Sequence, residues 1–303
     1  MTRKERIIKK IAKSMDDVPD AFFKGVKASQ KEAFASMVSE LAALTLDEAG
    51  NVVISQGNFA KVQALTDKMK AAYNNPKYTE ALRGFVNSMT EGAELSAQLM
   101  GVITGEAYTP SAAVQAILSN AKSTTLELLS TNAPADAAAA FKKIIENSVA
   151  TGENFGQVLR NVRKNIEGSA DFQGRMERYA KQNAYDFYSI SQAQVINEMT
   201  EELGFEFYEY IGVNVKDTRS FCAARNNKIY HAKEIEAWAS LDWDGKNRAT
   251  NSSTIWSLRG GYNCGHQLIP VATEDVPQDV KDRAEAAGYY KPEKEDQTQN
   301  VPS

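Results

Sequence analysis

FEFYEYIGV, residues 205–213, is where the chain changes period. Phe205, Phe207, Ile211 and Val213 alternate imperfectly with Glu206, Tyr208 and Tyr210, the pattern of a half-buried strand. Upstream, Phe172, Met176, Tyr179, Ala180, Ala184, Phe187, Ile190, Met199 and Leu203 recur at steps of three and four. That spacing predicts the longest helix of the chain, capped by Ser169 and stopped by Gly204. Helical spacing also runs from Pro19 to about Leu44, from Asn58 as N-cap to Tyr73, from Pro76 to about Gly101 and from Pro110 to Leu129. Val52, Val53 and Ile54 are expected to form a short strand, and LDEAGN, GEAYTP and TNAPAD punctuate the helices. The fold class is therefore mainly α: a helical N-terminal two-thirds followed by a small α+β C-terminal domain. The expected organisation is a helical region over 1–130, a second over 131–204, a compact α+β unit over 205–272 and a tail over 273–303. From Lys291 that tail, KPEKEDQTQNVPS, has the composition of a disordered end.

Composition narrows the function classes. With 35 Lys+Arg against 39 Asp+Glu, a net charge of −4 and a pI near 5.5, the chain lacks the basic excess of a dedicated duplex-DNA binder. The longest uncharged stretch, residues 107–121, is too short and too polar for a transmembrane helix, so no membrane is predicted among the partners. MTRKERIIKKIAKSMDD has no apolar run or cleavage site of a secretory signal, and two cysteines make no disulfide framework, so an intracellular setting is expected. Arg3, Lys4, Arg6, Lys9, Lys10 and Lys13 against Glu5 give this leader a local charge of +5, while Ile7, Ile8, Ile11 and Met15 share one helical face. It reads as a frayed surface helix or as a basic helix that docks on a partner or on packaged DNA. In the docking reading, deleting residues 1–15 leaves the core intact.

Both cysteines, both histidines and all three tryptophans lie between positions 222 and 266. Cys222, His231, Cys264 and His266 are spaced Cys-x8-His-x32-Cys-x-His, which supplies four N/S donors for tetrahedral zinc if the ends of the segment meet. The competing readings are two small buried thiols with structurally bonded histidines, or a cysteine nucleophile with a histidine base. In either of the first two, the four side chains are expected to converge. Trp238 and Trp256 are expected core anchors; as stacking platforms for single-stranded nucleic acid, the tryptophans would need Lys246, Arg248 and Arg259 beside them. Asp217 and Arg219 suit a turn in which they satisfy loop backbone groups and each other. Gly260 and Gly261 loosen the backbone before a closing strand.

A long helix, an aromatic strand, Asp217-x-Arg219-x-x-Cys222, a short Glu-Ile-Glu-x-Trp238 helix and Gly260-Gly261-Tyr-Asn263-Cys264-x-His266 occur in that order. This arrangement resembles the C-terminal domain of tailed-phage minor head proteins, the head morphogenesis or Mu F-like family, over roughly residues 170–272. Relatives often read Asn-Cys-Arg-Cys or Asn-Cys-Arg-His at the end, where this chain has Gly265 in place of the arginine. The resemblance implies a structural virion protein rather than an enzyme, made in the host cytoplasm and built in few copies into the phage head. It further implies the portal or the major capsid protein as partners. Two other readings stand beside it: a metal- or cysteine-dependent enzyme carried in the virion, and an internal DNA-associated protein.

Overall fold

The computed structural model describes residues 1–170 and 172–291. Helices dominate: α1 (Arg3–Leu41), α2 (Gln56–Tyr73), α3 (Pro76–Thr104), α4 (Ala112–Glu127), α5 (Ala133–Thr151), α6 (Phe155–Ile166) and, after a hairpin of β1 (Gly168–Ser169) and β2 (Phe172–Gln173), α7 (Arg175–Glu202). Then come β3 (Phe207–Ile211), α8 (Ser220–Arg225), β4 (Lys228–His231), α9 (Ala232–Ala237), α10 (Ile255–Leu258), β5 (Gln267–Val271) and α11 (Gln278–Ala286). The architecture is mainly α with a small antiparallel sheet near the C-terminus, as the periodicity predicts. The expected disordered tail lies, from residue 292, outside the described residues.

Local chemistry moves several boundaries. Pro19 lies inside α1 instead of opening a new helix. It removes one backbone donor, but buried Ile7, Ile11, Met15, Phe22, Val26, Met37 and Leu41 keep one apolar stripe running past it, and packing along that stripe carries the helix through. Ser55, not Asn58, caps α2, accepting from the Asn58 amide at 3.2 Å. Asn58 is buried one turn in, where its side chain accepts from Thr45 N at 2.9 Å and donates to the carbonyls of Thr45 at 2.9 Å and Val53 at 2.8 Å. Those bonds hold the 45–53 loop in place of the expected strand, of which isolated bridges from Val52 to Leu46 and from Asn51 to Asn154 remain. Ser169 pairs with Phe172 across the hairpin, which satisfies that backbone locally, so α7 starts only at Arg175. TNAPAD does not interrupt the chain either, because Leu128–Asn132 winds as a π-helical turn leading into α5.

The chain divides into two compact units that cut across the linear division expected from the sequence. One comprises residues 13–94 and 112–192 and is helical. Its core includes Phe22, stacked on Phe85 with centroids 4.9 Å apart, and Tyr78, whose hydroxyl donates to Leu129 O at 2.6 Å. Of the described residues, the other gathers 1–12, 95–111 and 193–291, and contains the sheet. Its strands lie in the order β4-β3-β5, both pairs antiparallel, with Phe207 opposite His231 and Val271, and Tyr210 opposite Lys228 and Leu268.

The leader belongs to this second unit. Ile7 and Ile11 are buried and Lys4 pairs with Asp275 at 3.3 Å, so the apolar face of the basic helix is already used within the protein. Deleting residues 1–15 is therefore expected to remove core, contrary to the docking-helix expectation. Ile11→Ala alone should cost about 2 to 4 kcal/mol, read as a lowered melting temperature.

Candidate functional site: a buried cysteine and histidine cluster

Alternation along β3 decides which residues meet. Successive strand residues point to opposite faces, so Tyr208 and Tyr210 face one way and Phe207 the other. On the tyrosine side, Tyr208, Tyr210 and Leu268 pack with Phe221, Cys222, Ile235, Trp238, Ile255 and Cys264. On the other side, Phe207 and Val271 pack with Val276, Val280 and Ala284 around α11.

Cys222 from α8 and Cys264 from the turn before β5 arrive on the tyrosine side with their sulfurs 4.0 Å apart. His266 Nδ1 lies 3.9 Å from Cys264 Sγ, and the three donors are all within 4.8 Å of one another. Tyr210 caps the group: its hydroxyl is 3.3 Å from Cys222 Sγ and 3.6 Å from Cys264 Sγ, and its ring stacks on the His266 ring at 5.1 Å and 12°. The other imidazole nitrogen, Nε2, is 3.4 Å from Asn214 Oδ1. All three donors are buried. The hydrogen bond from Cys222 holds the Cys264 thiol well below its ordinary range, with His266 and the Arg259 guanidinium adding to the effect against burial. Cys222 is correspondingly pushed up, first by that shared hydrogen bond and then by burial. The two thiols share this hydrogen bond and so titrate as a pair, not as independent groups.

The two sequence motifs interlock at this point. Arg219 donates to the carbonyls of Gly260 at 3.3 Å and Tyr262 at 2.8 Å, and Trp243 Nε1 donates to the same Gly260 carbonyl at 3.3 Å. Arg219 therefore turns to these carbonyls and not to Asp217, which is exposed. Gly260 lies directly over the sulfurs; a Cβ there would overlap Cys264 Sγ and sit 2.8 Å from Cys222 Sγ. Gly261 adopts φ +88°, and Asn263, in the same turn, φ +54°. Arg259 is fully buried and donates to the carbonyls of His266, Trp256 and Ser257.

His231 is the sequence-predicted donor that does not join. It stands opposite Phe207 on the other face of the sheet, with its ring edge-on to Phe207 at 5.1 Å. Its Nδ1 accepts from Lys233 N at 3.1 Å while Glu234 accepts from the His231 amide at 2.8 Å, a capping box that starts α9. The convergence expected of four residues is thus corrected to three, because the parity of β4 sends His231 away.

Burial lowers the His231 pKa. In the folded chain the neutral ring is favoured, so its contribution is present above the ordinary imidazole range, near 6.5, and is withdrawn as pH falls through it. His231→Asn, which keeps a capping oxygen, is expected to flatten this acid loss; His231→Ala should cost about 1 kcal/mol at neutral pH. Denaturant titrations at several pH values check both.

The tryptophans also divide. Trp238 is buried, whereas Trp256 is half-buried, edge-on to Tyr208 at 4.9 Å. Trp243 stacks on Phe221 at 4.1 Å, with Lys246 Nζ over the Trp243 ring at 4.9 Å from its centroid and donating to the carbonyls of Ala239 and Leu241. Burial of Arg259 removes one of the three cations a nucleic-acid platform would require, and Lys246 is engaged locally, so these rings serve the core. Tyr210, Asn214 and Arg259 were not identifiable as members of the cluster. The alternation of Tyr208 and Tyr210 was the available signal, but alternation alone does not say which face receives the cysteines. No helix of the described residues is long and apolar enough to cross a membrane. A scan against known protein families finds no match for this chain, and searches of curated proteins and of solved structures likewise find none.

Proposed function

We propose that this chain is a structural minor head protein of a tailed phage, joined to the portal or inner shell during assembly. The reading comes from the motif resemblance, and one observation supports it. The two motifs that carry the resemblance are bonded to each other, through Arg219 to Gly260 and Tyr262 and through Cys222 against Cys264. Their residues serve to close a small domain. A nucleophile and base working on an external substrate need access, whereas Cys222, Cys264 and His266 are all buried beneath Tyr210 and Gly260.

Quantitative mass spectrometry of purified heads, with labelling to locate the chain, tests the reading. A few copies per head beside the portal are expected. Many copies spread through the DNA-filled interior would favour an internal DNA-associated protein, and absence from heads would overturn the proposal.

A further inference from the structure

The geometry points to a zinc site formed by Cys222 Sγ, Cys264 Sγ and His266 Nδ1, with the Tyr210 hydroxyl at the fourth corner. Bond lengths of about 2.3 Å to sulfur and about 2.0 Å to nitrogen place the corners of a zinc tetrahedron about 3.8 Å apart for two sulfurs and about 3.5 Å apart for sulfur and nitrogen. The sulfurs are 4.0 Å apart, Cys264 Sγ and His266 Nδ1 are 3.9 Å apart, and the Tyr210 oxygen is 3.3 and 3.6 Å from the sulfurs. Shifts of a few tenths of an ångström bring these four edges to the ideal values, and Cys222 Sγ and His266 Nδ1 lie within 4.8 Å of each other. Two sulfurs and an imidazole are a soft donor set suited to zinc.

Three surrounding features belong to a metal site more than to a packed thiol pair. His266 presents Nδ1 to the sulfurs and Nε2 to Asn214 Oδ1 at 3.4 Å, the outer hydrogen bond that fixes the tautomer of a metal-bound histidine. Gly212 leaves room for that ring: a Cβ there would lie 2.5 Å from His266 Cγ. Buried Arg259 donates to the His266 carbonyl and so braces the turn that carries Cys264 and His266. Binding releases to solvent the protons that the two thiols still hold as Zn²⁺ takes their place, with no change of oxidation state. The inference concerns what the domain holds, not where the protein resides, so metal content and head incorporation fail independently.

The test uses the full chain purified without a His-tag. Elemental analysis should give one zinc per chain, and removal by a chelator should lower the melting temperature, restored by Zn²⁺ alone. Co²⁺ loaded into the stripped protein should give sulfur-to-cobalt charge-transfer absorption. His266→Ala should lose the metal, His231→Asn should keep it, and Asn214→Ala should weaken zinc binding about 10- to 100-fold. Should His266→Ala not fold, the cobalt spectrum of the unaltered chain decides. Failure of stripped protein to rebind Zn²⁺, cobalt absorption without sulfur ligation, retention of zinc by folded His266→Ala, or an intramolecular Cys222–Cys264 disulfide in the protein as isolated would each overturn the site.

Discussion

Gly260→Ala is expected to destabilise the sheet-containing unit by about 3 kcal/mol or more, the upper range for adding atoms to a filled interior. The added methyl would overlap Cys264 Sγ and lie 2.8 Å from Cys222 Sγ. Cys222 is held by Tyr210 at 3.3 Å, and the Gly260 carbonyl itself is fixed by Arg219 and Trp243, both at 3.3 Å. Relief by backbone movement would break those two bonds as well. All three tryptophans of the chain lie in this unit, so intrinsic fluorescence during denaturant unfolding reports on it directly. A Gly260→Ala chain with an unchanged fluorescence midpoint would show that the turn does not press on the sulfurs.

Trp238→Ala is expected to cost about 3 to 5 kcal/mol. Trp238 is only 5% exposed and meets three aromatic rings edge-on: Tyr230 at 4.9 Å, and Tyr210 and Phe221 each at 5.7 Å. Arg225 covers both Trp238, at 4.9 Å, and Phe221, at 3.8 Å, so truncation also strips a partly buried guanidinium of an aromatic face. Trp256→Ala should cost clearly less, because Trp256 keeps solvent contact. Melting curves of the two variants compare the effects; equal losses would contradict the assignment of Trp238 as the central anchor.

The helical class was legible because a stripe such as Ile7, Ile11 and Met15 repeats over many turns, and the strand because residues 205–213 alternate imperfectly, although β3 is buried on both faces and not half-buried as expected. The same signals misjudged Pro19 and Asn58, since a local rule about proline or a capping residue says nothing of the tertiary stripe or of the loop carbonyls that override it. At the cluster, confinement of both cysteines and both histidines to one segment correctly brought Cys222, Cys264 and His266 together. It could not separate His266 from His231. That distinction depends on strand register, Phe207 opposite His231 and Ile211 opposite Gln267, which is set only when the sheet forms.

The central claim is that the two ends of the 205–272 segment close on one another through Cys222 and Cys264. A double-mutant cycle of Cys222→Ala and Cys264→Ala, followed by tryptophan fluorescence in denaturant, measures that closure. Because each single change removes the same shared contact, the pair should fall short of additivity by at least about 1 kcal/mol. Effects that add to within about 0.5 kcal/mol would mean that the cysteines do not share one environment, and the closed cluster would be wrong.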